Sequence, residues 1–177
     1  MDEAYEEEQP TIESHPLISI VMPVYNPPLR YLKDALESVL NQSYGDFLLY
    51  LVDDGSTDNT PVALEKYVGH PKVTLLKQNN QGVSAARNFA VRQGSSEWIS
   101  FLDSDDEWLP NKLKLQTDYL KAHPEIRFLH AEEIWIRNGV RVNPKMKHDK
   151  SGSDLFERSL EFCLISPSTV MMKRELF

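Results

Sequence analysis

Residues 97–110 read EWISFLDSDDEWLP, an apolar and aromatic run that stops abruptly on Asp103, Asp105 and Asp106. Acidic clusters are common on protein surfaces, and three carboxylates in four positions are by themselves no more than a solvated turn. Their meaning depends on the run before them. It predicts a strand, and the remainder of the chain decides what sheet that strand enters.

Working outward, three more runs of the same kind lie upstream: LISIVMPV at 17–24, FLLYLVDD at 47–54 and KVTLL at 72–76. The first is continuously apolar and β-branched, as suits a strand buried on both faces. Helical patterns separate the runs. Pro27 and Pro28 open one helix, which continues through Leu32, Ala35, Leu36, Val39 and Leu40. Thr60 is the expected cap of a short second helix with Pro61 at its first position. Gly82 and Ser84 open a third, expected to pack through Val83, Ala86, Phe89 and Ala90 and to stop at Gly94. Pro110 starts a fourth, with Leu113, Tyr119 and Leu120 inward. Strands alternating with helices predict an α/β domain with a parallel sheet.

Beyond that unit, IRFLHAEEIWIR (126–137) predicts a fifth strand, and Asn138-Gly139 a hairpin turn that makes the sheet mixed. The stretch 143–153 reads as a loop, in which Lys145, Lys147 and Lys150 are expected to be solvated. DLFERSLEFCLI (154–165) has helical spacing, and STVMMK (168–173) is a last short strand.

Bulk properties narrow the function. The chain has 177 residues and a formal charge of −8. Residues 1–16 hold six of the acids and no Lys or Arg, and are expected to form a disordered acidic tail. The rest has 21 acids against 19 Lys and Arg, so its near-neutral balance offers no footprint for nucleic acid. One cysteine, Cys163, allows no internal disulfide and fits a reducing compartment. No apolar run approaches the roughly 20 residues that cross a bilayer. A cytoplasmic location is expected, with contact to the cytoplasmic face of a membrane left open.

In an open parallel sheet, ligands bind outside the carboxyl ends of the strands. Those positions hold Pro23, Val24, Tyr25 and Asn26 after the first run, Asp53 and Asp54 after the second, and Asp103, Ser104, Asp105 and Asp106 after the fourth. There is no GxGxxG after the first strand and no GxxxxGK[ST] anywhere, so a nucleotide phosphate lacks a glycine-rich cradle. A carboxylate-rich rim repels a diphosphate unless a divalent cation lies between them. Mg²⁺ and Mn²⁺ suit that place, because they bind one or two carboxylates together with substrate phosphates.

Taken in order, ISIVMPVYN (18–26), LVDDGSTD (51–58), NQGVSAARN (80–88) and FLDSDDEWLP (101–110) resemble glycosyltransferase family 2. The resemblance implies a GT-A fold: a three-layer α/β domain with a mainly parallel, partly mixed sheet. It implies transfer of a sugar from a nucleotide-diphosphate donor, UDP-sugar favoured, to an acceptor hydroxyl, with inversion and with Mn²⁺ or Mg²⁺. Residue by residue, Pro23, Val24 and Tyr25 would line the nucleoside pocket, with the Tyr25 ring against the base. Asp54 would accept a base N–H, and Asp53 would orient the turn. Gly82 and Arg87 would face the donor, with Arg87 meeting a phosphate. Asp103, beside Ser104, would hold the ribose or a metal-bound water, and Asp105 would bind the metal. The general base of such enzymes lies in a later acidic motif, expected beyond Phe177. On that reading residues 17–143 form the nucleotide-sugar-binding core and 144–177 begin an acceptor-side region of a longer enzyme.

Two other readings compete. A signalling receiver domain needs an acidic pair after its first strand, where this chain has Pro23-Val24-Tyr25-Asn26. A sugar-nucleotide-binding module without catalysis needs no general base. Neither His15, His70, His123, His130 nor His148 stands at metal-ligand spacing, and Trp98, Trp108 and Trp135 are expected to pack rather than to carry sugar.

Overall fold

The computed structural model describes residues 17–143, 148–150, 155–161 and 164–177. The acidic tail at 1–16, Lys145, Lys147 and Cys163 lie outside the described residues.

Four strands form the parallel part of the sheet: β1 (Ile18–Val24), β2 (Phe47–Asp53), β3 (Val73–Lys77) and β4 (Trp98–Phe101). β1 pairs with β2 from Ile18↔Phe47 to Val24↔Asp53, and with β4 from Ile18↔Trp98 to Val21↔Phe101. The connecting helices are α1 (Leu29–Leu40), α2 (Thr60–Leu64) and α3 (Val83–Gln93), followed by α4 (Lys112–Ala122) after β4. With β5 (Phe128–Leu129) and β8 (Met171–Lys173), the full order of the six-stranded sheet is β3-β2-β1-β4-β8-β5.

Side-chain alternation divides the core into two layers. Ile18, Ile20, Met22 and Val24 of β1 pack with Leu32, Ala35, Leu36 and Val39 of α1 and with Leu113 and Leu120 of α4. Val21, with Val52, Ile99 and Phe101, faces Ala86, Ala90 and Val91 of α3 on the other side. Ala86 and Ala90, four apart, let α3 lie close against the sheet. The sheet is therefore the middle of three layers.

This order has a functional consequence. The connections from β1 lead outward to β2 and β3, and the chain then returns across β1 to form β4. The carboxyl ends of β1 and β4 thus flank the switch point where a crevice opens. The order also differs from the 2-1-3-4-5 arrangement of receiver domains, which sets that alternative aside.

The C-terminal third departs from the sequence expectations. The single fifth strand is instead two short ones, β5 (Phe128–Leu129) and β6 (Trp135–Arg137), separated by irregular backbone. β6 pairs with β7 (Val140–Val142) in a separate two-stranded sheet, so the Asn138-Gly139 hairpin is not what makes the main sheet mixed. That role falls to β8 (Met171–Lys173), which runs antiparallel between β4 and β5. Residues 164–177, expected on the acceptor side, thus supply a strand of the main sheet. A helix α5 (Leu155–Glu161) precedes β8. Lys150 is not in a solvated loop either. Its side chain is 5% exposed and its ammonium meets Glu133 at 3.5 Å, Glu132 at 3.9 Å and the Ala131 carbonyl at 3.4 Å.

Local details shift as well. Asn59, not Thr60, is the N-cap of α2, and α4 begins two residues after Pro110. Val83 and Tyr119 were expected inward, but each is half exposed, because the α3 and α4 faces that meet the sheet are set by Ala86, Ala90, Leu113 and Leu120. No described helix is long and apolar enough to cross a membrane.

Candidate functional site

An open cleft of about 400 Å³ lies at the carboxyl ends of β1, β2 and β4. Pro23, Val24, Tyr25, Asp54, Gly82, Asp103, Ser104 and Asp105, all singled out from sequence, line it together. Asn80 and Val83 line it too and were not foreseen. A second cleft of about 440 Å³, between β3 and the Glu65–Gly69 segment, lies apart from these residues and gathers no comparable polar set.

The floor is built from two braces. Asn26 follows β1 with φ +46°, the left-handed conformation that Asn tolerates better than most residues. Its side-chain oxygen accepts the Thr57 N–H at 2.8 Å and the Asp58 N–H at 3.3 Å, and its amide donates to Thr57 Oγ1 at 3.2 Å. The Asn26 N–H donates to Ser56 Oγ at 3.2 Å. The loops after β1 and β2 are thereby tied together, which fixes where half-exposed Tyr25 stands. The signal for Asn26 was present in the sequence, since an Asn after a strand and before Pro27-Pro28 suits a sharp turn.

Asp54 forms the second brace. It is 2% exposed, and its Oδ1 accepts the Gln78 side-chain N–H at 2.6 Å and the Gln81 backbone N–H at 2.9 Å. Its Oδ2 accepts the Gly82 N–H at 2.8 Å. A carboxylate offers about four acceptor sites, so one remains on Oδ2. Gly82 has φ +89°, a conformation that directs its N–H to Asp54 while opening α3. Asp53, buried beside it, accepts the Ser56 N–H at 2.9 Å and acts as a turn former, as expected. Gly55 has φ +75°, and a Cβ there would stand 2.7 Å from the Asn80 nitrogen. The Asp53–Ser56 turn and the Gln78–Gly82 loop are therefore in close contact.

The acidic segment after β4 divides its three carboxylates among three partners. Asp103 is ion-paired with Arg87 of α3. Arg87 does not itself line the cleft, and its Nε is buried without a hydrogen-bond partner. Asp106 is turned the other way, and Ser168 Oγ donates to its Oδ2 at 2.6 Å. Burial raises the Asp106 pKa, helped by the charges of Asp105, Asp103 and Glu133, while the Ser168 bond opposes the shift. Asp105 is exposed, and its carboxylate has no protein partner among the described residues. Among those residues no three His, Cys, Asp or Glu side chains form a ready metal cage. A lone unpaired carboxylate on an all-oxygen rim fits a Mg²⁺ or Mn²⁺ ion completed by substrate phosphates.

Ser168 had no recognisable signal in the sequence. It sits in the 3₁₀ turn Pro167–Thr169 before β8. Trp108, 6% exposed, lies beneath the acidic segment and donates from Nε1 to the Ser168 carbonyl at 2.7 Å. Lys112 Nζ stands 3.9 Å from the centre of the Trp108 ring and donates to Gln116 at 2.8 Å, with its pKa pushed down to about 7 by burial. Trp108 thus packs, and offers no face to a sugar.

Comparison with known proteins agrees with this geometry. Residues 19–177 match the family described as Glycosyl transferase family 2. The Escherichia coli UDP-Glc:alpha-D-GlcNAc-diphosphoundecaprenol beta-1,3-glucosyltransferase WfgD is 32% identical over 160 residues, which cover 90% of this chain and 61% of WfgD. Among solved structures, S. aureus TarS 1-349 in complex with UDP superposes with a TM-score of 0.71 at 27% identity, covering 90% of this chain and 47% of TarS. The mannosyltransferase PcManGT from Pyrobaculum calidifontis, solved with GDP-Man and Mn2+, shares the fold with a TM-score of 0.66 at 22% identity, covering 93% of this chain and 46% of that one. The chain spans 23% to 63% of the lengths of four curated relatives. The sheet order, the three layers and these superpositions define a GT-A fold, and the chain belongs to glycosyl transferase family 2.

Proposed function

We propose that this chain holds a nucleotide-diphosphate sugar, UDP-sugar favoured, and that the enzyme it forms transfers the sugar to an acceptor hydroxyl with inversion. One observation carries the reading: three strand ends converge on one cleft in which the Asp105 carboxylate is left without a protein partner among the described residues. The UDP named with TarS and the UDP-Glc in the name of WfgD support the choice of donor.

In this reading the Tyr25 ring covers one face of the base, and Pro23 and Val24 border it. The remaining acceptor site on Asp54 Oδ2 takes a base N–H such as that of uracil. Asp103 and Ser104 face the ribose, and Arg87, held by Asp103, supplies positive charge behind them. Asp105, with Asp103 beside it, would hold the divalent ion, which as a Lewis acid stabilises charge growing on the departing diphosphate. The acceptor hydroxyl attacks from the opposite face of the sugar and must lose its proton to a carboxylate. That carboxylate belongs to the acceptor side of the enzyme. The single cysteine and the donor chemistry together favour a cytoplasmic location, at the membrane face if the acceptor is lipid-linked.

The test is calorimetric titration of UDP, GDP and dTDP with and without Mn²⁺, for the wild type and Asp105→Ala. The expected result is metal-enhanced binding, strongest for UDP, whose metal-dependent part Asp105→Ala removes while weaker metal-free binding stays. Nucleotide affinity indifferent to both Mn²⁺ and Asp105 would overturn the metal assignment, and no binding of any nucleotide would overturn the donor site.

A further inference from the structure

The acidic segment after β4 is held in place from the far end of the chain. Ser168 lies 65 residues beyond Asp103, yet its hydroxyl accepts the Asp103 N–H at 3.1 Å and donates to Asp106 Oδ2 at 2.6 Å. Its carbonyl accepts the Trp108 indole N–H at 2.7 Å. These three bonds grip the segment at its start, its middle and its end.

The turn that carries Ser168 is itself anchored. The Thr169 carbonyl accepts from Gln116 Nε2 and from the Ala131 N–H, both at 3.2 Å, and the Val170 carbonyl accepts from Ser100 Oγ at 2.6 Å. Immediately afterwards β8 enters the main sheet beside β4. Ser168 and Thr169 are each 6% exposed, so their bonds are shielded from water. A bond of this kind fixes geometry rather than merely adding stability, because the alternatives are unsatisfied buried groups.

We propose that Ser168 is a positioning residue for the metal-binding segment. By fixing the Asp103 backbone and engaging the Asp106 carboxylate, it leaves Asp105 facing the cleft beside Asp103. The proposal rests on the reading of Asp105 as a metal ligand and adds a residue that touches neither metal nor donor. It also explains a division of labour among the three acids. Asp106, which accepts from Ser168, does not line the cleft, and Asp103 lines it while paired with Arg87. Residues that orient metal ligands from behind cost about 10- to 100-fold in metal affinity when removed.

The experiment compares Ser168→Ala, Ser168→Thr and Trp108→Phe with the wild type. Trp108→Phe cuts the segment's far bond without touching the hydroxyl. Two measurements are made: UDP affinity with and without Mn²⁺, and amide hydrogen exchange across residues 103–108. Ser168→Ala is expected to weaken the Mn²⁺-dependent part of UDP binding about 10-fold or more, leave metal-free UDP affinity unchanged, and accelerate exchange at the Asp103 amide. Ser168→Thr, which keeps the hydroxyl, restores both. Trp108→Phe lies between. A Ser168→Ala protein with wild-type metal dependence overturns the proposal, as does equal weakening of metal-free binding, which would mark a general structural role. If the wild type shows no metal dependence, the Asp105 reading fails and takes the metal-positioning role with it. The exchange arm then still reports whether Ser168 orders the segment.

Discussion

Replacing Asp54 by Asn removes one charge and keeps the side chain's shape, which makes it a sharp probe of the cleft floor. The carboxylate is 2% exposed and accepts two backbone N–H groups on different oxygens: Gln81 on Oδ1 and Gly82 on Oδ2. An Asn has only one oxygen. Whichever way its amide is turned, an NH₂ faces one of those two N–H groups. That donor loses its partner, at about 1–3 kcal/mol for a buried group. Gln81 and Gly82 are exposed residues, so water relieves part of this and the lower end applies. The bonds that survive change from charge-assisted to neutral, which costs about 1 kcal/mol each. The expected loss is roughly 3 kcal/mol, corresponding to a fall in Tm of about 6–12 °C for a chain of this size. Urea unfolding at pH 7, read by the midpoint with an unchanged m-value, measures it. Metal-free UDP affinity is expected to fall in parallel, because the Gln78–Gly82 loop loses its anchor. A loss below about 0.5 kcal/mol would refute the argument that this carboxylate holds the loop, since that is no more than an ordinary surface substitution.

Two further substitutions test other parts of the same site. Asn26→Gly keeps the left-handed backbone but removes the amide brace to Thr57 and Asp58, whereas Asn26→Ala removes both. UDP affinity is expected to fall in both, with Ala about 1 kcal/mol less stable than Gly from backbone strain; wild-type affinity in the Gly variant would show that the brace does not place Tyr25. Lys112 is pushed down to about 7 by burial, against 10.5 in an unfolded chain. Between those values the unfolded chain binds the extra proton, so wild-type stability should rise with pH from about 7 towards 10.5. The Trp108 ring favours the charged form and so narrows this window from its lower end, within which one proton gives about 1.4 kcal/mol per pH unit. Lys112→Met should lack that rise, and superimposable pH profiles of the two proteins would count against a depressed Lys112.

The parts of the molecule legible in its sequence are those governed by local rules. Continuous apolar runs gave β1 to β4, and glycine, proline and periodicity gave the helices between them. Because the architecture dictates that strand ends form the site, Tyr25, Asp54 and Asp105 could be named before their positions were known. Pairing between distant segments was not legible. STVMMK reads as a strand, but nothing in it says that it inserts antiparallel between β4 and β5. IRFLHAEEIWIR has a strand-like composition throughout. It bends because the Ala131 N–H is claimed by Thr169 and Glu133 by Lys150, both contributed by later segments. Asp103 and Arg87 were each named from their motifs, but that the two pair with one another at the cleft was not legible. Ser168 is the extreme case: a serine after a proline is ordinary until the segment it grips is seen.

On the proposed reading of the site, these pairings set the charge that a donor diphosphate meets at the cleft. Asp54 has its charge answered by three N–H groups. Asp103 is answered by Arg87. Asp106 is turned onto Ser168 and does not line the cleft. Asp105 is the cleft carboxylate without a protein partner among the described residues. A diphosphate approaching that rim gains nothing from the protein alone and meets one uncompensated negative charge. A divalent cation on Asp105 reverses the sign of the rim and gives the diphosphate an ordered partner. On that reading nucleoside binding and diphosphate binding are separable: the first depends on braces from the loops after β1, β2 and β3, the second on Asp105, with Asp103 beside it, in a segment gripped by the turn before β8.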